Sequence, residues 1–454
     1  MAPHIKVPPT LLWLAVILWL SACSGSNSTP QSTTSSPPQT GQEPTKPPPT
    51  TQPPSSAPPG TQPPGSTPPS SGGAFNQGTG FNAFVRTILM TQDGSNDLYV
   101  GGDFTTYNGT PANHVIRLRP NGSVAQTFGQ GFDEVVLALG LATDSSNALF
   151  ASGTFTQFNG QPVPQVIRIT PTGLRDSSFQ PSGLDFVPEM LAVPEDASRN
   201  VYVGGNVSTS PPLIGNSSKV VRLSPNGTPD ATSTFFIGGD PTVSPVVTMA
   251  VPPGSGKLYV GGSIGTLNGE AVTSFLRLNP DGTLDTSFVQ GTEPASSPVA
   301  VIVEAIAPAR DGSDDVYAGG RIARYNGTPV NGSIRVHGNG ALDTSYVQAA
   351  PLIPMGIWPA QDGTGDIFVS GFSTIDGTVF RLMRLDRGGA LVSTFREPTL
   401  HIEPNTPFWL LSIVPALDGT RDLYIGGTFT TYNGVPVNHI ARIHADGSLA
   451  SVVN

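Results

Sequence analysis

Arginine recurs along the chain at intervals of 49 to 58 residues. A guanidinium group presents a planar fork of donors that suits carboxylate, sulfate or sugar ligands. The same group could instead form a repeated ion pair, with its aliphatic stem packed between repeats. Because every copy retains it and a ligand site usually breaks symmetry, we interpret these arginines as structural. They are Arg117, Arg168, Arg222, Arg277, Arg335, Arg384 and Arg442. In four copies the strand that follows supplies an acidic partner, at Asp176, Asp230, Asp285 and Asp343.

Aspartate also recurs in tight turns of the form Asp-Gly-Ser/Thr-x-Asp. The paired positions are Asp93 and Asp97, Asp311 and Asp315, Asp362 and Asp366, and Asp418 and Asp422. Alternating oxygens in a tight loop could hold Ca²⁺, which takes six to eight oxygen ligands. A full calcium loop needs further carboxylates and a late glutamate, and aspartate also satisfies turn amides. We therefore predict no cofactor and no metal, with calcium as the weak alternative.

Three charged residues share one position of the repeat that is otherwise apolar. They are Arg86, Glu189 and Glu304, whereas the other copies carry Leu137, Val246, Met355 and Leu411. Polar groups that interrupt an apolar ring mark where a central channel could bind a ligand. Local ion pairing is the competing explanation for these charged residues.

Two histidines, His114 and His439, occupy another shared position, in the first and last copies. The other copies carry Gln165, Lys219, Ser274, Gly332 and Arg381, a variety that predicts a solvent-facing position. A paired-histidine metal site would lack the third protein ligand that such sites normally have.

These residues are positioned by seven copies of one unit. A short apolar run ending in glycine marks each copy, at 98–102, 149–153, 201–205, 258–262, 316–320, 367–371 and 423–427. Asn-Gly and Asp-Gly pairs accept the positive φ of tight hairpin turns, so they separate antiparallel neighbours. One such turn recurs from Asn108-Gly109 onward, and the third copy replaces it with Ser210-Pro211-Pro212. Each copy therefore reads as four short strands.

Four strands in a unit of about 54 residues are typical of a propeller blade. The fold prediction is an all-β, seven-bladed β-propeller of four-stranded antiparallel blades, spanning residues 74–454. The stretch Phe75–Phe81 resembles the end of a repeat. We expect it to join the last blade and so close the ring non-covalently.

The sequence predicts an export signal at the N-terminus. The apolar run Leu11–Leu20 is too short to span a bilayer as a helix. The residues Leu20, Ser21, Ala22 and Cys23 resemble the lipobox of bacterial lipoproteins. That resemblance implies cleavage after residue 22 and acylation of Cys23 with chains such as palmitate, and two or more chains anchor durably. Since Ser24 follows the cysteine, the resemblance favours the outer membrane over the inner membrane of the cell envelope.

Residues 23–73 form a linker between the lipidated cysteine and the repeats. Fifteen prolines among Ser, Thr, Gln and Gly leave too little apolar surface to offset chain entropy, so we expect a disordered stalk. From Ala74 onward the chain has 20 Lys and Arg against 31 Asp and Glu. An acidic body repels phosphate backbones, which argues against nucleic acid as a partner. With Cys23 as the single cysteine, an internal disulfide is excluded.

A family resemblance covers residues 75–454. The first and last copies, QDGSNDLYVGGDFTTYNG and LDGTRDLYIGGTFTTYNG, resemble the delta-60 repeat of bacterial exported proteins. This resemblance implies a propeller without an established activity, and it assigns no catalytic residue.

Two functional hypotheses remain open. The first is a monomeric, membrane-anchored binding or scaffolding propeller with a protein or glycan ligand. The second is a carboxylate-based polysaccharide hydrolase or lyase, which two acids about 5–10 Å apart in the channel would favour. No phosphate-binding loop, zinc-protease motif or dinucleotide fingerprint is present in the sequence.

Replacing the lipidated cysteine tests the anchor. We predict that Cys23→Ala releases the exported protein from the membrane fraction without unfolding its body, because the stalk separates the two. Cell fractionation followed by a thermal melt of the released protein measures both effects. A Cys23→Ala variant that stays in the membrane after high-salt washing contradicts the lipobox interpretation.

Overall fold

The computed structural model describes most of the chain from Phe75 to Ala450. The described residues are 75–76, 78–196, 198–207, 217–239, 246–291, 301–349, 352–373, 380–402 and 410–450. All of the described residues lie within one compact unit of the chain, Pro69–Asn454. Cys23 and the predicted signal peptide and stalk lie outside the described residues. Among the described residues, no helix is long and apolar enough to cross a membrane.

Each repeat contributes three antiparallel strands in the order first, second, third. The first strands are Val85–Met90, Val136–Leu141, Met190–Ala192, Val246–Ala250, Ile302–Pro308, Leu352–Pro359 and Leu410–Pro415. The second strands are Leu98–Gly102, Leu149–Gly153, Val201–Asn206, Leu258–Gly262, Val316–Arg321, Ile367–Ser373 and Leu423–Gly427. The third strands are Val115–Leu118, Val166–Ile169, Ser217–Leu223, Phe275–Leu278, Ser333–Val336, Phe380–Leu385 and Ile440–Ile443. The second strand is the glycine-marked run of the sequence, and it lies in the middle.

The apolar cores lie between consecutive repeats. The second strand of repeat 1 is buried along its whole length, as expected of a strand covered on both faces. One cluster joins Tyr99 of repeat 1 to Phe155 of repeat 2. Another joins Val85 of repeat 1 to Tyr424 of repeat 7. The first strands also contact one another in chain order. The first strand of each repeat contacts the first strand of the next repeat, and the first strand of repeat 7 contacts that of repeat 1.

The two glycines of the second strand allow close packing in two directions. A Cβ on Gly102 would lie 2.1 Å from the carbonyl oxygen of Phe84, so this position excludes every other residue. The ladder between first and second strands shifts register there, which makes Arg86 the extra residue of a β-bulge. A Cβ on Gly101 would lie 2.8 Å from Val136 of the next repeat. The glycines therefore set both the bulge and the distance between repeats.

The prediction of four strands in every blade is not met in the described chain. A fourth strand forms in repeat 1, Val124–Thr127, and in repeat 3, Pro229–Gly239. The other five repeats make only a single bridge there, such as Leu278 with Leu284. In repeat 4 the Asp285 carboxylate accepts a hydrogen bond from the amide of Ser287, two residues on, so a turn directly follows the bridge.

The Asn-Gly turns close small hairpins that are separate from the second strand. Asn108 and Gly109 have φ of 50° and 72°, as a two-residue hairpin turn requires. The hairpins pair Thr106–Tyr107 with Thr110–Pro111, Gln157–Phe158 with Gln161–Pro162, Ile264–Leu267 with Glu270–Ala271, Arg324–Tyr325 with Thr328–Pro329, and Phe429–Tyr432 with Val435–Pro436. Leu400–Ile402 pairs with the last of these hairpins. The predicted turns at 210–212 and 376–377 lie outside the described residues.

The segment Phe75–Phe81 lies between the last and first repeats. Phe75 packs edge-on against Tyr424, with ring centroids 5.5 Å apart, in the way that Phe288 packs on Tyr259 within repeat 4. The amide of Phe81 donates to the carbonyl of Asn438 at 3.1 Å. Residues from the start of the repeat region thus occupy the position that the end of a repeat occupies elsewhere.

Removal of this segment tests its contribution to stability. We predict that Phe75→Ala lowers the free energy of unfolding by about 3–5 kcal/mol, because a buried aromatic contact with Tyr424 is lost. Chemical denaturation of fragments that begin at Pro69 measures the change. A fragment that begins at Asn82 should be less stable still, whereas Asn76→Ala, which keeps its backbone hydrogen bond, should have a small effect. Equal stability of the fragments beginning at Pro69 and Asn82 would contradict closure by this segment.

Candidate functional site

The recurring arginines lie on the third strands and pack on aromatic rings of the second strands. The guanidinium carbon of Arg335 lies 5.4 Å from the ring centroid of Tyr317, and five other repeats have the same arrangement. Register explains the pairing, since Tyr317 is the direct partner of Arg335 across the two strands. Arg335 is 1 % exposed, so its charge needs partners within the protein.

Those partners are the aspartates of the Asp-Gly turns. Arg335 donates to Asp311 at 2.7 Å and to Asp315 at 2.8 Å, and Asp343 of the following strand lies 3.5 Å away. In repeat 7, Arg442 contacts Asp418 and Asp422 at 2.6 and 2.8 Å. The turn aspartates that were considered as calcium ligands are therefore ion-pair partners of the recurring arginines.

Every arginine faces at least one carboxylate, but the carboxylate comes from different positions. Arg117, Arg384 and Arg442 contact two turn aspartates each, and their following strands carry Ala125, Val392 and Ala450 in place of aspartate. Arg222 and Arg277 instead contact Asp230 and Asp285 of the following strand, whereas Arg168 contacts one of each kind, Asp144 and Asp176. This exchange was not predicted from the sequence, although the following strand lacks its aspartate in three of the four repeats where two turn aspartates hold the arginine.

These clusters of arginine and aspartate favour the ionised form of the aspartate carboxyl groups over the protonated form. Burial opposes ionisation of Asp311, but hydrogen bonds from Ser313 and Arg335 outweigh it and lower the pKa of Asp311 to about 2. The unfolded chain has a pKa of about 3.9 at such a residue. Because the folded-state pKa is lower, this carboxylate stabilises the fold above about pH 4, and the stabilisation is lost as the pH falls toward 2.

The arginines also tie one repeat to the next. Arg384 donates to the carbonyl of Ala445 in repeat 7 at 3.3 Å, and Arg442 donates to the carbonyl of Pro120 in repeat 1 at 3.4 Å. Arg277 makes the corresponding contact with Gly338 in repeat 5. With their donors occupied by turns and by neighbouring repeats, these guanidinium groups hold the structure together.

The second group of predicted residues lies at the β-bulges of the first strands. Arg86 and Glu304 are the extra residues where the ladder shifts register, and Glu189 occupies the same position beside Gly204. For repeat 4 the sequence predicted Val246 at this position, which is wrong by one residue. The extra residue of the bulge in repeat 4 is Val247. On the described first strands, charged side chains occur only at this position.

Each bulge residue has a counterpart directly after the glycine pair of its own repeat. Arg86 forms a two-pronged ion pair with Asp103, and Glu189 accepts a hydrogen bond from Asn206 at 3.1 Å. Burial raises the pKa of Glu189, while the hydrogen bond from Asn206 and the charge of Arg86, two repeats away, oppose the rise. The carboxylate of Glu189 therefore has its hydrogen-bond partner within its own repeat.

The histidine position was predicted to face solvent, and this was wrong. His114 and His439 are 8 % and 7 % exposed. His439 packs against Phe84 at the start of the first repeat, and Ser274 at the same position donates to Val301 at the start of repeat 5. The position is covered because the next repeat begins against it. In the described residues, no group of three or more His, Cys, Asp or Glu side chains is arranged to hold a metal ion.

A separate cleft of about 240 Å³ opens between the Asp-Gly turns of repeats 6 and 7. Phe368 and Leu417 contribute apolar surface to the lining of this cleft, and Arg421 contributes a charged group. Of the residues singled out in the sequence, only Asp362 lines it, and its carboxylate is engaged by Arg384.

Comparison with known proteins agrees with this architecture. The family model of a β-propeller domain of unknown function, DUF5122, matches residues 94–128, 146–179, 254–288 and 421–449. These segments run from the turn before the second strand through the third strand and the turn beyond it in repeats 1, 2, 4 and 7. No curated protein matches the chain. The body of the chain is a β-propeller.

Solved structures of low sequence identity are similar to parts of this chain. The Neurospora crassa Pan2 WD40 domain is 10 % identical, with 76 % of this chain and 86 % of that chain covered and a TM-score of 0.40. A putative glucose dehydrogenase from Thermus thermophilus is 16 % identical, covering 66 % and 92 %, with a TM-score of 0.38. A putative gluconolactonase is 12 % identical, covering 81 % and 96 %, with a TM-score of 0.35.

A pair of arginine substitutions tests the clusters. We predict that Arg335→Met lowers the free energy of unfolding by about 3–5 kcal/mol, because buried carboxylates lose their counter-charge. The matched control is Arg387→Met, since Arg387 also contacts Asp311, at 3.3 Å, but is 63 % exposed. That variant should lose at most about 1 kcal/mol. Denaturant unfolding measures both, and equal losses would contradict the structural role of Arg335.

Proposed function

We propose that this protein is a membrane-anchored envelope lipoprotein that presents a seven-bladed β-propeller as a binding or scaffolding module. The observation that carries the proposal is the break in symmetry at the bulges. Three of the seven bulge positions are charged, at Arg86, Glu189 and Glu304, whereas the arginine clusters recur in every repeat. A feature that recurs in every repeat is explained by the fold, whereas a ligand site is expected where some repeats differ from the others.

The chemistry of these positions also supports binding. They combine an ion pair at Arg86 with two glutamates whose pKa values are raised by burial. Perturbed ionisable groups gathered at one place are typical of functional sites. Convergent polar groups on otherwise apolar strands resemble the composition of ligand pockets, which suits a protein or glycan ligand.

The anchoring part of the proposal rests on the sequence. The Leu20–Cys23 motif, the following Ser24 and the proline-rich linker support a lipid at Cys23 and a stalk that presents the propeller from the outer membrane. Two attachments of different kinds, a lipid and a ligand, would let the protein hold its ligand at the envelope surface.

The alternative is a carboxylate-based polysaccharide hydrolase or lyase. The specific observation in its favour is the raised pKa of both Glu189 and Glu304, since a general acid must retain its proton near neutral pH. An enzyme of this kind would cleave the polysaccharide that it binds, whereas a binding module would release it unchanged.

Affinity capture tests the proposal. The fragment 74–454 is immobilised and exposed to envelope proteins and to envelope glycans, with and without Ca²⁺. We expect capture of one class, unchanged in length, and at least about a tenfold loss when Arg86, Glu189 and Glu304 are all replaced by Gln. The matched control replaces the exposed residues Glu134, Glu270 and Arg324 by Gln. Shortened glycan products would favour the enzyme, and equal capture by both triple variants would contradict a site at the bulges.

A further inference from the structure

The three charged bulge residues differ in how they are satisfied. In repeat 1, Arg86 and Asp103 form a closed ion pair, with Nη2 of Arg86 3.0 Å from Oδ2 of Asp103. In repeat 5 the same two positions carry the opposite charges, Glu304 at the bulge and Arg321 after the glycine pair. The order of charge is reversed, so the same geometry permits an ion pair in repeat 5 as well.

That pair is open. Among the described residues, neither the side chain of Glu304 nor that of Arg321 has a hydrogen bond, and no salt bridge within 4.0 Å includes either of them. They nonetheless act on each other, because burial raises the pKa of Glu304 and the charge of Arg321 opposes the rise. Glu304 is half-buried on the first strand, while Arg321 is exposed. Repeat 5 therefore holds an unjoined carboxylate and guanidinium at the two positions that form the ion pair of repeat 1.

A close backbone contact holds the two positions that carry these groups beside each other. A Cβ on Gly320 would lie 2.1 Å from the carbonyl oxygen of Ile302 and 2.8 Å from the amide nitrogen of Glu304. The residue before Arg321 is thus pressed against the bulge that carries Glu304. A backbone held by such close contacts is preorganised, which reduces the entropy lost when a ligand binds.

We infer that Glu304 and Arg321 bind a small zwitterion, an amino acid or the end of a peptide that carries both an ammonium group and a carboxylate. The ammonium group would donate to the Glu304 carboxylate, and the ligand carboxylate would accept from the planar fork of Arg321. A simple cation would be repelled by Arg321, and a simple anion would be repelled by Glu304. A ligand with both charges satisfies both groups at once.

This inference rests on the proposed function, since it names the ligand class of the same site. It also accounts for the difference between repeats 1 and 5. The closed pair of Arg86 and Asp103 already satisfies its own charges, so it leaves little for a ligand. The open pair in repeat 5 leaves both charges available, and repeat 3, where Asn206 donates to Glu189, carries no second charge.

Calorimetric titration of the mature full-length protein in detergent tests the inference. The probes are the free L-amino acids and the dipeptide Ala-Ala, each compared with its N-acetylated and its C-amidated form. We expect at least one zwitterion to bind and each blocked form of it to bind about 10- to 100-fold more weakly. Glu304→Gln and Arg321→Gln should each weaken binding by the same range. The matched control, Arg324→Gln, removes a nearby exposed charge of the same repeat and should bind as the unaltered protein does.

The outcomes separate this inference from the proposed function. If no zwitterion binds, or if both blocked forms bind equally well, the assignment of the ligand class is wrong. If envelope protein or glycan is captured and the Glu304→Gln and Arg321→Gln variants capture it unchanged, the propeller still binds a ligand but not through this pair. Arg321 is exposed, so Arg321→Gln should fold normally, and an unchanged melting temperature for that variant assigns any loss of binding to the lost charge.

Discussion

The close contact between the last glycine of the second-strand run and the first strand is the constraint on which the rest depends. At Gly102 a Cβ would lie 2.1 Å from a backbone oxygen, and at Gly205 it would lie 1.9 Å away. Such an approach forces the first strand to bulge, and a bulge turns its extra residue out of the regular alternation. The backbone contact therefore determines where Arg86 and Glu304 lie, but it does not determine which residue type occupies the position.

A second constraint concerns the buried arginine charges. A buried cation is tolerated only with a counter-charge, and the chain meets that need from two different places in the repeat. Arg222 has Asp230 of the following strand, whereas Arg442 has the turn residues Asp418 and Asp422. What recurs is the neutralised arginine, and the source of the carboxylate varies from repeat to repeat. Recurrence in all seven copies thus marks structure, even where individual partners are exchanged.

The period, the Asn-Gly turns and the antiparallel order of the first three strands could be predicted, because local turn chemistry and apolar runs encode them. Bulges could not, since one inserted residue changes which side chains share a face without changing any spacing, as the correction from Val246 to Val247 shows. The burial of His114 depends on the start of another repeat, and no local pattern reports such a contact. Asp103 and Arg321 were not predicted as site residues, because the glycine pair before each of them was used only to locate the repeats.

The bulge combines a fixed backbone with a free choice of side chain, and this explains why symmetry breaks there. The glycine contact requires nothing of the side chain at the bulge, so Leu137 and Met355 serve the fold as well as Glu304 does. Nor does it require anything of the residue after the glycine pair, where Asp103 and Arg321 have opposite charges. A pair of adjacent positions, rigidly spaced and unconstrained in chemistry, can be closed in one repeat and open in another. Because a closed ion pair has already satisfied both of its charges, only an open pair retains the electrostatic free energy that a ligand of complementary charge can use.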